Sequence, residues 1–185
     1  IEEMNRLGMI VDLSHAGKQT CLDAIEVSNK PVAISHANPN FFHKSKRNID
    51  TDILQKLVKK NGFIGLSLYP YHLKNLGDCT IEDFCEMIKE LVNLIGEDNI
   101  GIGSDLCLNW PDDVVMWMRN GKWTKNIDYG ESKDKNPKWP KLPSWYKQPS
   151  DLNNLFYLMC ENNIPEKVST KIIGQNWFNF MKNQF

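Results

Sequence analysis

Three short apolar runs in this chain end in the same way. Met9-Ile10-Val11-Asp12-Leu13 leads into Ser14-His15, Pro31-Val32-Ala33-Ile34 leads into Ser35-His36, and Ile100-Gly101-Ile102-Gly103 leads into Ser104-Asp105. Two imidazoles and a carboxylate, each delivered at the end of a strand, are the residue types that bind a divalent metal. A neutral imidazole is a good ligand for zinc-like ions. A carboxylate beside it either completes the shell or handles a proton and a substrate amine. Two histidines fall short of the usual catalytic set of three protein ligands and one open position. Asp105 is therefore a candidate for a third ligand or for the proton-handling role. Asp12 is a candidate partner that orients a ligand from behind. His43 and His72 stand in loop-like contexts and are set aside as ligands.

These side chains meet only if the strands that carry them lie side by side and point the same way. A fourth apolar run, Phe63-Ile64-Gly65-Leu66-Ser67-Leu68, fits the same description. Each run is too short for a buried helix and is flanked by glycine, proline or polar residues. Between them the spacing predicts helices over 18–27, 51–60 and 80–95. The second opens with Thr51 as its cap and carries Ile53, Leu54, Leu57 and Val58 on one face. The third opens with a capping box, Thr80-Ile81-Glu82-Asp83, and carries Phe84, Ile88, Leu91, Val92 and Ile95 as its stripe. Two further helices are expected near 150–161 and 165–173, with a short tail over 176–182.

Apolar strands alternating with amphipathic helices indicate a parallel sheet covered on its faces, the α/β class. No glycine-rich phosphate loop follows any strand, which argues against a nucleotide-binding open sheet and favours a (β/α)8 TIM-type barrel. Four strands supply only half of one. The first residues, Ile1 to Leu7, read as the last turns of a helix without a cap, so the expectation is a C-terminal half barrel occupying 1–185. The segment 106–149 interrupts the alternation with five tryptophans and five prolines. A connection that long is usually functional or separately folded, and its departure from a strand end makes it a candidate lid or insertion. One short helix is expected within it, near Asp113 to Met118.

Composition narrows the function classes. The net charge of −1 gives no basis for binding nucleic acid or an acidic membrane surface. No apolar run reaches the length of a membrane span. Five cysteines, an odd number without a C-x-x-C pair, argue for reduced thiols over a disulfide framework or a zinc knuckle. No export signal is visible, the compartment stays unassigned, and a homodimer stays open.

Four stretches resemble one family, the membrane (renal) dipeptidases of peptidase family M19. They are Met4-Asn5-Arg6-Leu7-Gly8-Met9-Ile10-Val11-Asp12-Leu13-Ser14-His15, then Pro31-Val32-Ala33-Ile34-Ser35-His36-Ala37-Asn38 with Lys46-Arg47-Asn48-Ile49, then Gly101-Ile102-Gly103-Ser104-Asp105, and finally Ile172-Ile173-Gly174-Gln175-Asn176-Trp177. The resemblance implies an eight-stranded barrel with two zinc ions, His15 and His36 ligating one of them. It also implies hydrolysis of dipeptides by a metal-bridging hydroxide, Arg47 gripping the substrate carboxylate, and Asp105 handling the proton and the nascent amine. The H-x-D pair and bridging carboxylate that complete such a centre are absent from this sequence, as expected of a chain that begins inside a domain and is inactive alone. The family often has Asp-Phe-Asp-Gly where this chain reads Asp105-Leu106-Cys107-Leu108, which bears on substrate preference. Two alternatives stand beside the dipeptidase: another amidohydrolase-like metal hydrolase, acting on a cyclic amide or lactone, and a catalytically inactive binding module.

Overall fold

The computed structural model describes residues 1–114 and 139–184. The alternating runs form a three-stranded parallel sheet in the order β1-β2-β3, with β1 at Ala33–Ala37, β2 at Phe63–Leu66 and β3 at Ile100–Ile102. Ahead of it come α1 (Glu2–Arg6) and α2 (Lys18–Val27). Helix α3 (Thr51–Lys59) joins β1 to β2, and α4 (Ile81–Ile95) joins β2 to β3. Each crossover helix lays its apolar face on the sheet. Ile53, Leu54 and Leu57 of α3 and Phe84, Ile88 and Leu91 of α4 are buried against Ile34, Ile64, Leu66 and Ile100.

Several boundaries differ from the sequence expectations. The run 9–13 is extended but touches the sheet at a single residue. Asp12 bridges to Ala33, through Leu13 N–H to Ala33 O and Ala33 N–H to Val11 O, so it is no full strand among the described residues. Helix α3 takes Asp50, not Thr51, as its N-cap residue, and the Asp50 carboxylate binds Lys18 and Asn40 instead of the helix end. Thr80 does cap α4 by accepting the Asp83 N–H, but the Asp83 carboxylate pairs with Lys74 instead of returning to the cap. The last helices are α5 (Leu152–Glu161), α6 (Glu166–Thr170) and α7 (Asn176–Lys182). A five-residue π-helical turn, Lys171–Gln175, joins α6 to α7, so the expected helix and tail are one continuous element.

Residues 115–138 lie outside the described set, and with them most of the helix expected at Asp113–Met118. The end of the aromatic segment joins the core. Trp145 and Tyr146 are buried, Trp145 stacks on Phe84, and its indole N–H donates to Cys79 O at 2.8 Å.

The other face of the sheet is aromatic and sharply curled. Ala33, Phe63 and Phe180 form a second buried cluster with Ile10 and Trp177, and the Trp177 indole donates to Ile102 O at 2.8 Å. Glycines make this possible. A Cβ on Gly65 would collide with the Ser35 carbonyl and press on Trp177. A Cβ on Gly103, just past β3, would also collide with the Ser35 carbonyl, although β2 lies between the two strands. The strand ends therefore fold toward one another, as the wall of a barrel does.

All five cysteines are free thiols. Burial pushes Cys79 and Cys85 up to about 12; Cys107 is exposed, although partial burial and the Asp105 charge raise its thiol as well. Among the described residues no helix is long and apolar enough to cross a membrane.

Two measurements follow from this packing. Gly65→Ala is expected to lower unfolding stability by about 1–3 kcal/mol through overpacking against backbone. Gly174→Ala, with open space around the new methyl group, should be neutral or raise stability by up to about 1 kcal/mol. Urea unfolding separates the two. In native labelling with a thiol-reactive disulfide, Cys107 should react promptly while Cys79 and Cys85 stay protected until the chain unfolds.

Candidate active site

Imidazoles converge at the C-terminal rim of the sheet. His15 follows the first extended run and adopts a left-handed backbone, φ 67°. His36 lies within β1, which runs on to Ala37 instead of ending at Ile34 as expected, and its aim depends on an irregularity of that strand. Ile34 pairs with Ile64, but Ala37 pairs with Leu66, so β1 holds one residue more than β2 between these pairs. This is a β-bulge. It leaves Ile34 and Ala37 both in the helix-side core and turns the intervening Ser35 and His36 toward the rim. His15 Nε2 and His36 Nε2 come within 3.1 Å, their rings edge to face. Asp105, also left-handed at φ 51°, brings Oδ1 to 4.0 Å from His36 Nε2.

Behind His36 lies a compact polar knot. Asp12 Oδ1 accepts the Ser14 and Ser35 backbone N–H groups, each at 3.0 Å, and Oδ2 accepts the Ser35 hydroxyl at 2.6 Å. Burial opposes the charge on Asp12, but these hydrogen bonds outweigh it and hold the carboxyl below its ordinary pKa. Ser35 Oγ is 2.8 Å from His36 Nδ1, and Ser14 Oγ accepts the His36 backbone N–H at 3.0 Å.

Both imidazoles are shifted down. For His15 the larger cause is burial and the next is the Arg47 charge. For His36 burial again leads, Asp105 opposes it, and Arg47 adds to it. Arg47 thus sits within electrostatic reach of both rings, and its Nη2 lies 3.5 Å from His36 O, at the outer limit for a hydrogen bond. The loop that carries it is pinned from below. Asn38 and Asn48 both donate to His72 O, at 3.0 and 3.1 Å, Asn38 also donates to Ser67 O at 2.9 Å, and Asn48 to His43 O at 2.6 Å. His72 is buried, its Nδ1 2.8 Å from Ser67 Oγ. Beside Asp105 opens a small recess of about 70 Å3, lined mainly by Leu68, Tyr69, Leu106, Trp139, Pro140 and Leu142.

The structure thus brings together His15, His36 and Asp105, with Arg47 close by. Among the described residues no group of three or more His, Cys, Asp or Glu side chains is arranged to hold a metal ion. The pair nonetheless suits one. Two nitrogens bound to a single zinc at about 2.0–2.1 Å in tetrahedral geometry lie roughly 3.3 Å apart, close to the observed 3.1 Å. The donors fit as part of a shell, not as a whole one. Missed in the sequence were Ser14 and Ser35, whose repeated place before a histidine was the available signal. The buried network of Asn38, Asn48, Ser67 and His72 was missed as well, and no sequence signal marked it.

The model of the membrane dipeptidase family (Peptidase family M19) matches residues 1–112. The chain belongs to that family. Over 141 residues it is 31% identical to Dipeptidase tcpJ of Claviceps purpurea, taking in 69% of this chain and 33% of that protein. It is 36% identical over 107 residues to the uncharacterized dipeptidase C965.12 of Schizosaccharomyces pombe, 57% of this chain and 26% of that protein. An amidohydrolase from Pseudomonas aeruginosa superimposes with a TM-score of 0.85 at 31% identity, over 99% of this chain and 55% of that one. A metallo peptidase from Rhodobacter sphaeroides, liganded with a phosphinate mimic of the dipeptide L-Ala-D-Ala, does so at 0.76 and 21% identity, over 100% of this chain and 45% of that one. The M19 chain described here thus spans a quarter to a third of these curated relatives and about half of these solved structures. Its parallel α/β sheet matches the corresponding part of their fold.

In the metal-free chain, His15 and His36 should titrate below the free imidazole value of about 6.5 when followed by ring-proton NMR. A ring whose pKa is lower folded than unfolded takes its proton first in the unfolded chain. Stability should therefore be fully present above about pH 6.5 and be lost as pH falls through the window below it. A double His15→Gln, His36→Gln variant should flatten that part of the urea-midpoint profile.

Proposed function

We propose that the protein carrying this chain is a zinc-dependent dipeptidase, with 1–185 forming the C-terminal half of its (β/α)8 barrel and His15 and His36 holding one metal at the rim. The observation that carries this reading is the 3.1 Å approach of the two Nε2 atoms beside Asp105 in an M19 chain. A bound zinc would supply Lewis-acid activation of water and of the scissile carbonyl at neutral pH. Family membership and the dipeptide mimic bound by the Rhodobacter relative support the substrate class.

The chain's own residues then divide the remaining work. Arg47 binds the dipeptide's free carboxylate, for which a planar, permanently charged guanidinium is suited. Asp105, facing the histidines, holds the substrate ammonium and passes a proton to the departing amine. The apolar recess next to it takes a substrate side chain, which favours apolar residues there. The segment 106–149 acts as a lid or insertion, and its described end is anchored through Trp145. A second reading, hydrolysis of a cyclic amide or lactone, draws on the likeness to the Pseudomonas amidohydrolase.

Chelation of the protein should abolish dipeptide hydrolysis, and added zinc should restore it. Turnover that survives exhaustive chelation overturns the metal assignment, and cleavage of cyclic amides but not dipeptides favours the second reading. Arg47→Ala should raise KM for free dipeptides about 10–100-fold, the cost of a charged hydrogen bond, and leave C-terminally amidated substrates nearly unaffected. Equal effects on both would remove Arg47 from the carboxylate.

A further inference from the structure

We infer that Ser35, itself held by Asp12, is a positioning residue that fixes the His36 ring with its proton on Nδ1 and its Nε2 lone pair facing the rim. The inference rests on the metal-ligand reading of His36 given above, and it follows from counting hydrogens. A serine hydroxyl has one proton to donate and two lone pairs to accept with. Ser35 donates that proton to Asp12 Oδ2 at 2.6 Å, so in its 3.1 Å contact with Ser14 Oγ it is the acceptor, through one of its two lone pairs. The carboxylate also collects the Ser14 and Ser35 amides, and it has no proton to return. Ser35 Oγ therefore faces His36 Nδ1, 2.8 Å away, only as an acceptor. The ring nitrogen must be the donor, and a neutral imidazole protonated on Nδ1 carries its lone pair on Nε2.

The bulge makes this contact possible. Neighbours in a regular strand point to opposite faces, so a serine cannot normally buttress the histidine that follows it. The additional residue between Ile34 and Ala37 places both side chains on the rim side. Ser14, from the extended run beside β1, holds the other side of the same unit by accepting the His36 backbone N–H at 3.0 Å. In the metal-free chain the 3.1 Å contact between the two Nε2 atoms then has His15 as donor and His36 as acceptor. Both Nε2 atoms could hold a metal only once the His15 proton had moved to that ring's Nδ1, whereas His36 already presents a lone pair.

The test is ring-nitrogen NMR of His36 at a pH where the ring is neutral, in wild type, Ser35→Ala, Asp12→Asn and Ser35→Thr, with far-UV CD as a control for folding. The expected result is Nδ1–H in wild type, a tautomeric mixture in Ser35→Ala and Asp12→Asn, and recovery in Ser35→Thr, which keeps the hydroxyl. Zinc affinity, read by competition with a chromophoric chelator, should fall about 10–100-fold in Ser35→Ala. Wild-type His36 protonated on Nε2 overturns the inference without any variant, as does a tautomer unchanged in both Ser35→Ala and Asp12→Asn. A tautomer shift with zinc affinity unchanged would instead overturn His36 as a ligand, leaving the serine's hold on the ring intact.

Discussion

Ile34 and Ala37 both pack into the helix-side core although they lie three positions apart, and a regular strand would send one of the two to the opposite face. One inserted residue resolves the conflict, and the rim is built on that resolution. Without it, His36 would point toward α3 and α4, where an imidazole has neither a polar partner nor a route to solvent. With it, Ser35 and His36 share a side, Asp12 and Ser14 reach across from the preceding run, and His15 meets His36. The bulge is stabilised from both directions. On the core side Ile34 and Ala37 are fully buried, so undoing it would expose one of them. On the rim side the Ser35 amide, hydroxyl and following amide are all hydrogen-bonded.

The aromatic face beneath makes a different contribution. Phe63, Trp177 and Phe180 fill the inner side of the sheet near its base; glycines at 65 and 101 leave room for the rings, and Gly103 leaves room for the Ser35 carbonyl. Glycine is usually a weakness within a strand. Here its lack of a Cβ lets β3 bend toward β1 over the top of β2. That bend, not any direct pairing of the outer strands, carries Asp105 to within 4.0 Å of His36. Trp177 sits far from the rim in sequence terms, yet by hydrogen-bonding the Ile102 carbonyl it holds the strand from which Asp105 departs.

Much of this was legible in the sequence, for reasons that can be assigned. The parallel α/β class followed from period and length, since a run such as Phe63–Leu66, apolar on both faces, is a buried parallel strand almost by definition. The three strand-ending motifs pointed to one rim because parallel strands present their C-terminal ends together. Other features lay beyond sequence patterns. A bulge depends on which neighbours a strand pairs with, and Ala-Ile-Ser-His-Ala is equally compatible with regular alternation. The left-handed backbones at His15 and Asp105 are imposed by tertiary contacts, because neither residue type demands positive φ. The loop-pinning role of Asn38 and Asn48 uses backbone carbonyls as acceptors, and those leave no compositional trace. The cap of α3 was misjudged because Asp50 and Thr51 are both competent, and the ion pair with Lys18 decides how the aspartate is used.

The electrostatics of the rim point the same way as its geometry. Burial and the Arg47 charge, against the opposing Asp105 charge, shift both imidazoles toward the neutral form, and only the neutral ring can bind a cation. The same guanidinium that disfavours a proton on the histidines favours an anionic group beside them. Asp12, opposite in sign and tied to four hydrogen-bond donors in all, lies behind His36 instead of in front of it. Its charge can therefore polarise the ring without competing for whatever occupies the rim. With Arg47 to one side, Asp12 behind and Asp105 at the rim, the field about the histidines is asymmetric and carries both signs of charge. On the proposed dipeptidase reading, such a field suits a ligand that brings a free carboxylate toward Arg47 and an ammonium toward Asp105, and suits poorly a ligand with no anionic end.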